Sequence, residues 1–280
     1  MSTQSIAQAL AWATSEFSAI SDSPKLDAQV LLLHVIEKPK SYLYGWSDAQ
    51  LLEAQQSHLE RLVARRKQGE PIAHITGTRE FWSLPFYVNA STLIPRPDTE
   101  TLVETVLAQA LPEDTKLLDL GTGTGAIALS LANEHPSWRV TAIDYSSDAV
   151  ELAKRNRQAL ALEHVNILQG SWYEPLKGEQ FNVIVSNPPY IDPEDPHLEQ
   201  GDVRFEPRSA LVAEDEGYAD LFHIISEGRK HLLPGGFMAL EHGYNQAAVI
   251  HNFFAQLAYI NILTIKDMAG CDRITVATWP

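Results

Sequence analysis

The stretch Lys116-Leu117-Leu118-Asp119-Leu120-Gly121-Thr122-Gly123-Thr124-Gly125 carries a short apolar run into three glycines within five residues, and a helical pattern over 126–134 follows at once. Strand, glycine turn and helix in that order open an α/β unit. The glycines are required because the chain must turn tightly and because a side chain there would keep a nucleotide-like ligand off the backbone. Gly121, Gly123 and Ala126 also satisfy the looser dinucleotide fingerprint. Asp144, at the end of the next apolar run, suits the ribose of either kind of ligand. The loop thus predicts a nucleotide-like cofactor held by Gly121, Thr122, Gly123, Thr124, Gly125 and Asp144, and leaves its identity open.

Working outward, apolar runs recur at 116–120, 139–143, 165–169, 181–186, 237–241, 260–265 and 273–278. The first five are separated by segments long enough for a helix, such as 126–134, 147–161 and 220–231. Strands alternating with helices predict a parallel, doubly wound sheet covered on both faces. Only 266–272 separates the last two runs, too short for a helical crossover, so they should form an antiparallel hairpin. A mostly parallel seven-stranded sheet ending in such a hairpin resembles the class I methyltransferases. Asp119 and the Gly-Thr-Gly-Thr-Gly alternation look like the first motif of that fold, which implies S-adenosylmethionine as cofactor. The resemblance also sets Ser171-Trp172 where adenine contacts fall, and Trp172 can stack on such a ring.

Before the sheet, 1–74 reads as helical. Apolar residues recur every three or four positions at Ile6, Leu10, Ala13 and Phe17, then at Leu26, Val30 and Leu33, then at Leu51, Leu52, Leu59 and Leu62. Ser47 and Asp48 are expected to cap the long third helix. Arg65, Arg66 and Lys67 are expected to form its solvated last turn. Residues 75–88, rich in aromatics with a break at Ser83-Leu84-Pro85, predict a hairpin linker. A catalytic domain over 89–280 completes the division.

The run at 181–186 is of the buried parallel type and delivers Asn187-Pro188-Pro189-Tyr190 to the carboxyl edge of the sheet, where open α/β folds bind ligands. Two prolines remove backbone donors and leave carbonyls as acceptors. A planar nitrogen with two hydrogens is well held by such a pair, the Asn187 side-chain oxygen taking one N–H and the Pro188 carbonyl the other. Tyr190 is expected to pack on the flat group. These four residues are the candidate catalytic and substrate-binding set.

Composition narrows the rest. The net charge is −15, yet residues 1–88 hold eight Lys/Arg and nine Asp/Glu, so the remainder, with 13 and 27, carries almost all of the excess. Long-range repulsion of that kind opposes binding to a phosphate backbone and makes nucleic acid an unlikely substrate. The single cysteine, Cys271, excludes an intrachain disulfide, and the ten histidines are scattered with no metal-binding spacing. No apolar stretch reaches membrane-spanning length and no secretory pattern opens the chain, so a cytoplasmic location is expected.

Phe86-Tyr87-Val88, Leu93-Ile94-Pro95-Arg96-Pro97-Asp98-Thr99-Glu100, the glycine loop, Ser186-Asn187-Pro188-Pro189-Tyr190-Ile191 and Arg204-Phe205-Glu206-Pro207 together resemble the HemK/PrmC family. The resemblance spans nearly the whole chain, with Asp98 where the common pattern has Glu. It implies transfer of a methyl group to the side-chain amide nitrogen of the glutamine in the Gly-Gly-Gln motif of bacterial peptide chain release factors, with a small helical domain recognising the substrate. Two other readings compete. The Asn187–Tyr190 motif also serves methyltransferases of exocyclic base nitrogens, and the glycine loop alone fits an NAD-dependent oxidoreductase.

Overall fold

The computed structural model describes residues 3–280. The chain divides into two compact units, residues 1–78 together with 199–205, and residues 79–198 together with 206–280.

The first unit is built on three helices, Ile6–Phe17, Pro24–Ile36 and Glu53–Lys67, with shorter turns at Tyr42–Gly45 and Ile72–Thr76. Ser5 caps the first helix: its hydroxyl accepts from the Gln8 N–H while the Gln8 side chain accepts from its own. Phe17, Leu31, Leu32 and Leu59 meet in its core. Two expectations are corrected here. Ser47 and Asp48 cap no helix, because the long helix starts at Glu53; the Ser47 and Ala49 carbonyls instead accept from the N–H groups of Ala7 and Ile6. Nor is the basic cluster uniformly solvated. Arg66 is buried, its guanidinium donating to Asp27 and to Asp202 at 3.0 Å each, whereas Arg65 pairs with Glu70 and Lys67 with Glu16 nearer the surface. The helix turns that one residue inward, onto the acid of its neighbour.

The second unit opens with a two-stranded hairpin, β1 (Thr78–Phe81) and β2 (Leu84–Tyr87), turned by Trp82 and Ser83 at φ of 50° and 59°. Its main sheet contains β3 (Lys116–Leu120), β4 (Arg139–Asp144), β5 (Asn166–Gln169), β6 (Phe181–Ser186), β7 (Leu232–Glu241), β8 (Ile260–Lys266) and β9 (Asp272–Thr278), in the order β5-β4-β3-β6-β7-β9-β8. The first five run parallel, and β9 lies antiparallel between β7 and β8. This is the doubly wound sheet with a terminal hairpin expected of the class I methyltransferase fold.

Alternation along β3 sends Leu117 to one face and Leu118 and Leu120 to the other. Helices Glu100–Leu107, Ala126–Glu134 and Ser147–Ala159 cover the first face, and Ala219–Gly228 and Ala247–Gln256 the second. The strand order reverses at β3, with β4 on one side and β6 on the other, and such a switch point opens a crevice at the carboxyl ends of the strands.

Candidate active site

Sheet register assembles the site. Leu120 is level with Ile143 of β4 and Ser186 of β6, and Asp144 is level with Gln169 of β5. The loops that leave these strands therefore begin at one height. Ser186 Oγ donates to the Leu120 carbonyl at 2.6 Å and locks β6 to β3 just before both loops depart.

Gly121, Gly123 and Gly125 all have positive φ, 68°, 56° and 84°, which side-chain-bearing residues rarely adopt. Thr122 Oγ1 donates to Asp119 Oδ2 at 2.5 Å, and the Thr122 N–H donates to the Ile143 carbonyl. Burial pushes the Asp119 carboxyl up to about 7. Asp144 accepts from the Gly123 N–H at 2.8 Å and the Ser146 N–H at 2.9 Å, and burial raises its pKa as well.

A cavity of about 390 Å³ lies over this edge, within the range of small-molecule sites. Of the residues singled out from the sequence, Gly121, Thr122, Gly123, Thr124, Asp144, Trp172, Asn187 and Pro189 line it. Trp172 faces the loop closely enough that a Cβ on Gly121 would sit 3.5 Å from its ring. Gly125, Pro188 and Tyr190 are not on its wall. Gly125 caps the helix that follows, where a Cβ would come within 2.9 Å of Leu129. The partly buried Tyr190 ring packs against the core on this side of the sheet, and its hydroxyl donates to the buried Glu241 at 3.2 Å. The Tyr190 and Ile191 N–H groups both donate to the Leu211 carbonyl and anchor the end of the motif.

Asn187 Nδ2 donates to Thr99 Oγ1 at 3.2 Å. Among the described residues its Oδ1 accepts no hydrogen bond, and neither does the Pro188 carbonyl. Asn187 lies on the cavity wall, so its oxygen stays available there as an acceptor, whereas Pro188 is buried and off that wall.

The wall holds residues that sequence reasoning did not place there. Thr92, Leu93, Pro95, Arg96 and Thr99 come from the segment that precedes helix Glu100–Leu107, and Tyr145, Ser146 and Asp220 from elsewhere. The Arg96 guanidinium pairs with Glu206 at 2.6 Å, and Glu206 also accepts from the Ile94 N–H at 3.0 Å. Part of that segment had a sequence signal in its run of prolines, but the signal did not say what the residues touch. Among the described residues no group of three or more His, Cys, Asp or Glu could hold a metal, and no helix is long and apolar enough to cross a membrane.

Comparison with known proteins agrees with this architecture. The family model described as the PrmC N-terminal domain matches residues 8–77, and the methyltransferase small domain matches 97–202. A release factor glutamine methyltransferase of Shewanella oneidensis is 53% identical over 98% of this chain and 96% of its own length. One of Escherichia coli is 50% identical over 92% of this chain and 94% of its own. Among solved structures, a methyltransferase of Pyrococcus furiosus superposes with a TM-score of 0.54 at 21% identity, covering 77% of this chain and 96% of that one. A T. thermophilus 16S rRNA N2 G1207 methyltransferase in complex with AdoMet and guanosine gives a TM-score of 0.52 at 19% identity, covering 72% of this chain and 50% of that one; both share the fold alone. With identity of one half or more to relatives matched over 92% to 98% of its length, the chain belongs to the release factor glutamine methyltransferase family, the HemK/PrmC family that its motifs resemble.

Proposed function

We propose that this protein transfers a methyl group from S-adenosylmethionine to the side-chain amide nitrogen (N5) of the glutamine in the Gly-Gly-Gln motif of peptide chain release factors. The observation that carries this reading is Asn187 on the wall of the cavity that the glycine loop also lines, with its Oδ1 accepting no hydrogen bond among the described residues; the adjoining Pro188 carbonyl would supply the second acceptor. The names of the relatives supply the substrate class.

The cavity suits the cofactor. Thr92 Oγ1 is buried there without a hydrogen-bond partner among the described residues, and Gly121 and Gly123 leave backbone open to a ligand. The backbone of 121–124 would hold its methionine and ribose portion, Asp144 the ribose hydroxyls and Trp172 the adenine. When bound, S-adenosylmethionine supplies an electrophilic methyl group. An amide nitrogen is a weak nucleophile, so alignment is what the protein contributes. Transfer would break the sulfonium–methyl bond as the N–CH3 bond forms, leaving the neutral thioether, and the methylated nitrogen would lose one proton to solvent, with positive charge building on it along the way. Acceptors on its two N–H groups tighten as that charge develops, which favours the transition state over the ground state.

Recognition of the protein substrate falls to the helical unit in this reading. Tyr44 and Trp46 stand exposed on it, with Trp46 stacked on Tyr42, the kind of aromatic surface that protein interfaces use.

The test is mass spectrometry of release factors after incubation with the protein and S-adenosylmethionine. One added methyl on the glutamine of the motif is expected. Label found only in nucleic acid, when an extract is treated with labelled methyl donor, would overturn the assignment.

A further inference from the structure

Behind the Asn187 loop lies a buried carboxyl that the mechanism above does not use. Leu240 of β7 is level with Ser186 of β6, so Glu241 and Asn187 leave adjacent strands at the same height. Glu241 is 2% exposed and Thr99 4%. Tyr190 Oη donates to Glu241 Oε1 at 3.2 Å. Thr99 is the other hydroxyl that interacts with this carboxyl, and no fully formed hydrogen bond reaches Oε2 among the described residues. Thr99 Oγ1 in turn accepts from Asn187 Nδ2.

A hydroxyl has a single hydrogen. If a carboxylate draws it, only lone pairs remain for Asn187, which must then present its NH₂ to Thr99 and turn Oδ1 away from it. A donor in place of the carboxylate allows the opposite polarity: Thr99 donates to Asn187, the amide rotates by half a turn, and its NH₂ faces an incoming NH₂. Two donors in opposition cannot hold the substrate.

We propose that Thr99 and Glu241 are positioning residues: through the one hydrogen of the Thr99 hydroxyl, the buried carboxylate sets which end of the Asn187 amide is offered to the substrate nitrogen. The inference rests on the methyl-transfer reading and adds to it the reason why Asn187 acts as an acceptor. By holding Tyr190 too, Glu241 braces both ends of the tetrapeptide.

The charged groups that act on Glu241 are Arg273 of β9, which favours its ionised form, and Asp98 beside Thr99, which opposes it. The Tyr190 hydrogen bond and the nearby Thr99 hydroxyl favour the carboxylate, and burial outweighs these effects and pushes the group up to about 7. Turnover should therefore rise with pH as this carboxyl ionises.

The experiment uses the full chain, S-adenosylmethionine and intact release factor, and measures kcat, KM, cofactor affinity and melting temperature. Thr99→Val and Glu241→Gln should lower kcat by about 10- to 100-fold, the scale of a misaligned contact, with cofactor affinity within about twofold of the parent. Thr99→Ser, which keeps the hydroxyl, should restore most of kcat. The rise in kcat around pH 7 should disappear in Glu241→Gln. Parental kcat in Thr99→Val, or a Thr99→Ser variant as slow as Thr99→Val, would overturn the inference while the parent still methylates glutamine. A parent that leaves release factor unmodified would overturn the function itself, and the positioning role with it. Should Glu241→Gln fail to fold, the two Thr99 variants decide the question alone.

Discussion

The Gly123 N–H donates to Asp144 Oδ2 at 2.8 Å, tying the centre of the glycine loop to the end of the neighbouring strand. The bond holds Gly123 at a φ of 56° and leaves its α-carbon facing open space, with only Thr92 within 4 Å of a notional Cβ. A loop fixed in this way presents backbone to a ligand.

Gly123→Val should therefore abolish S-adenosylmethionine binding while the chain stays folded. A β-branched residue is poorly tolerated at positive φ, and its methyl groups would enter the cavity. Binding calorimetry on the folded variant is the check, and near-parental affinity would remove this loop from the cofactor site.

Asn187→Ala should leave cofactor affinity nearly intact and lower kcat by about 10² to 10³, the usual order for losing one preorganised polar contact in a transition state. Asn187→Asp keeps an acceptor but adds a charge and loses the donor that reaches Thr99, so some activity should survive. Single-turnover methylation of release factor separates the two variants. Parental rates in Asn187→Ala would reduce the motif to a structural turn.

Nine acidic residues lie between positions 192 and 216, directly after the Asn187 motif, against the two arginines Arg204 and Arg208. Three of the acids are already engaged, Asp195 by His197, Asp202 by Arg66 and Glu206 by Arg96. The rest are expected to steer a basic protein surface, so kcat/KM should fall as salt rises, mainly through slower association. Screening lengths of about 8 Å at physiological ionic strength set the range over which the effect fades. Stopped-flow association measured across a salt series tests it, and a flat profile would count against steering.

Within the helical unit, Arg66 donates to Asp27, to Asp202 and to the carbonyls of Gly69 and Glu70. Arg66→Ala would strand the buried Asp27 carboxylate, and removing one partner of a buried pair costs about 3–5 kcal/mol. Arg66→Met should cost less, because its apolar chain keeps part of the packing. Denaturant titration gives both values, and a loss under about 1 kcal/mol for Arg66→Ala would show the pair to be incidental.

Asp119 links pH to stability. Its pKa rises from 3.8 to about 7 on folding, so the folded state holds this proton more tightly than the unfolded chain does. Stability from the neutral carboxyl is fully present below the unfolded value and is lost as pH rises through that interval to about 7, on the order of a few kcal/mol at most. Asp119→Asn should flatten this part of the profile. Melting temperatures at about pH 5 and pH 8 provide the measurement, and an unchanged difference between them would exclude Asp119 as its source.

Local pattern settled much of this protein in advance. Apolar runs bounded by turns located the strands, the short gap at 266–272 made the last two antiparallel, and the alternating glycines announced positive φ at 121, 123 and 125. The lack of backbone donors at Pro188 and Pro189 was legible too, because proline removes a donor whatever surrounds it. Such properties belong to a few adjacent residues and hold in any context. The tertiary structure alone decided the rest: that β9 lies between β7 and β8, that Arg66 turns inward, that the Tyr190 hydroxyl reaches Glu241, and that Thr99 and Glu241 stand behind Asn187. Thr99 and Glu241 lie 88 positions before and 54 positions after Asn187 in the sequence. No periodicity relates residues so far apart; they meet because strand register sets β6 and β7 at one height and because a buried polar group must find its partner wherever packing brings one within reach.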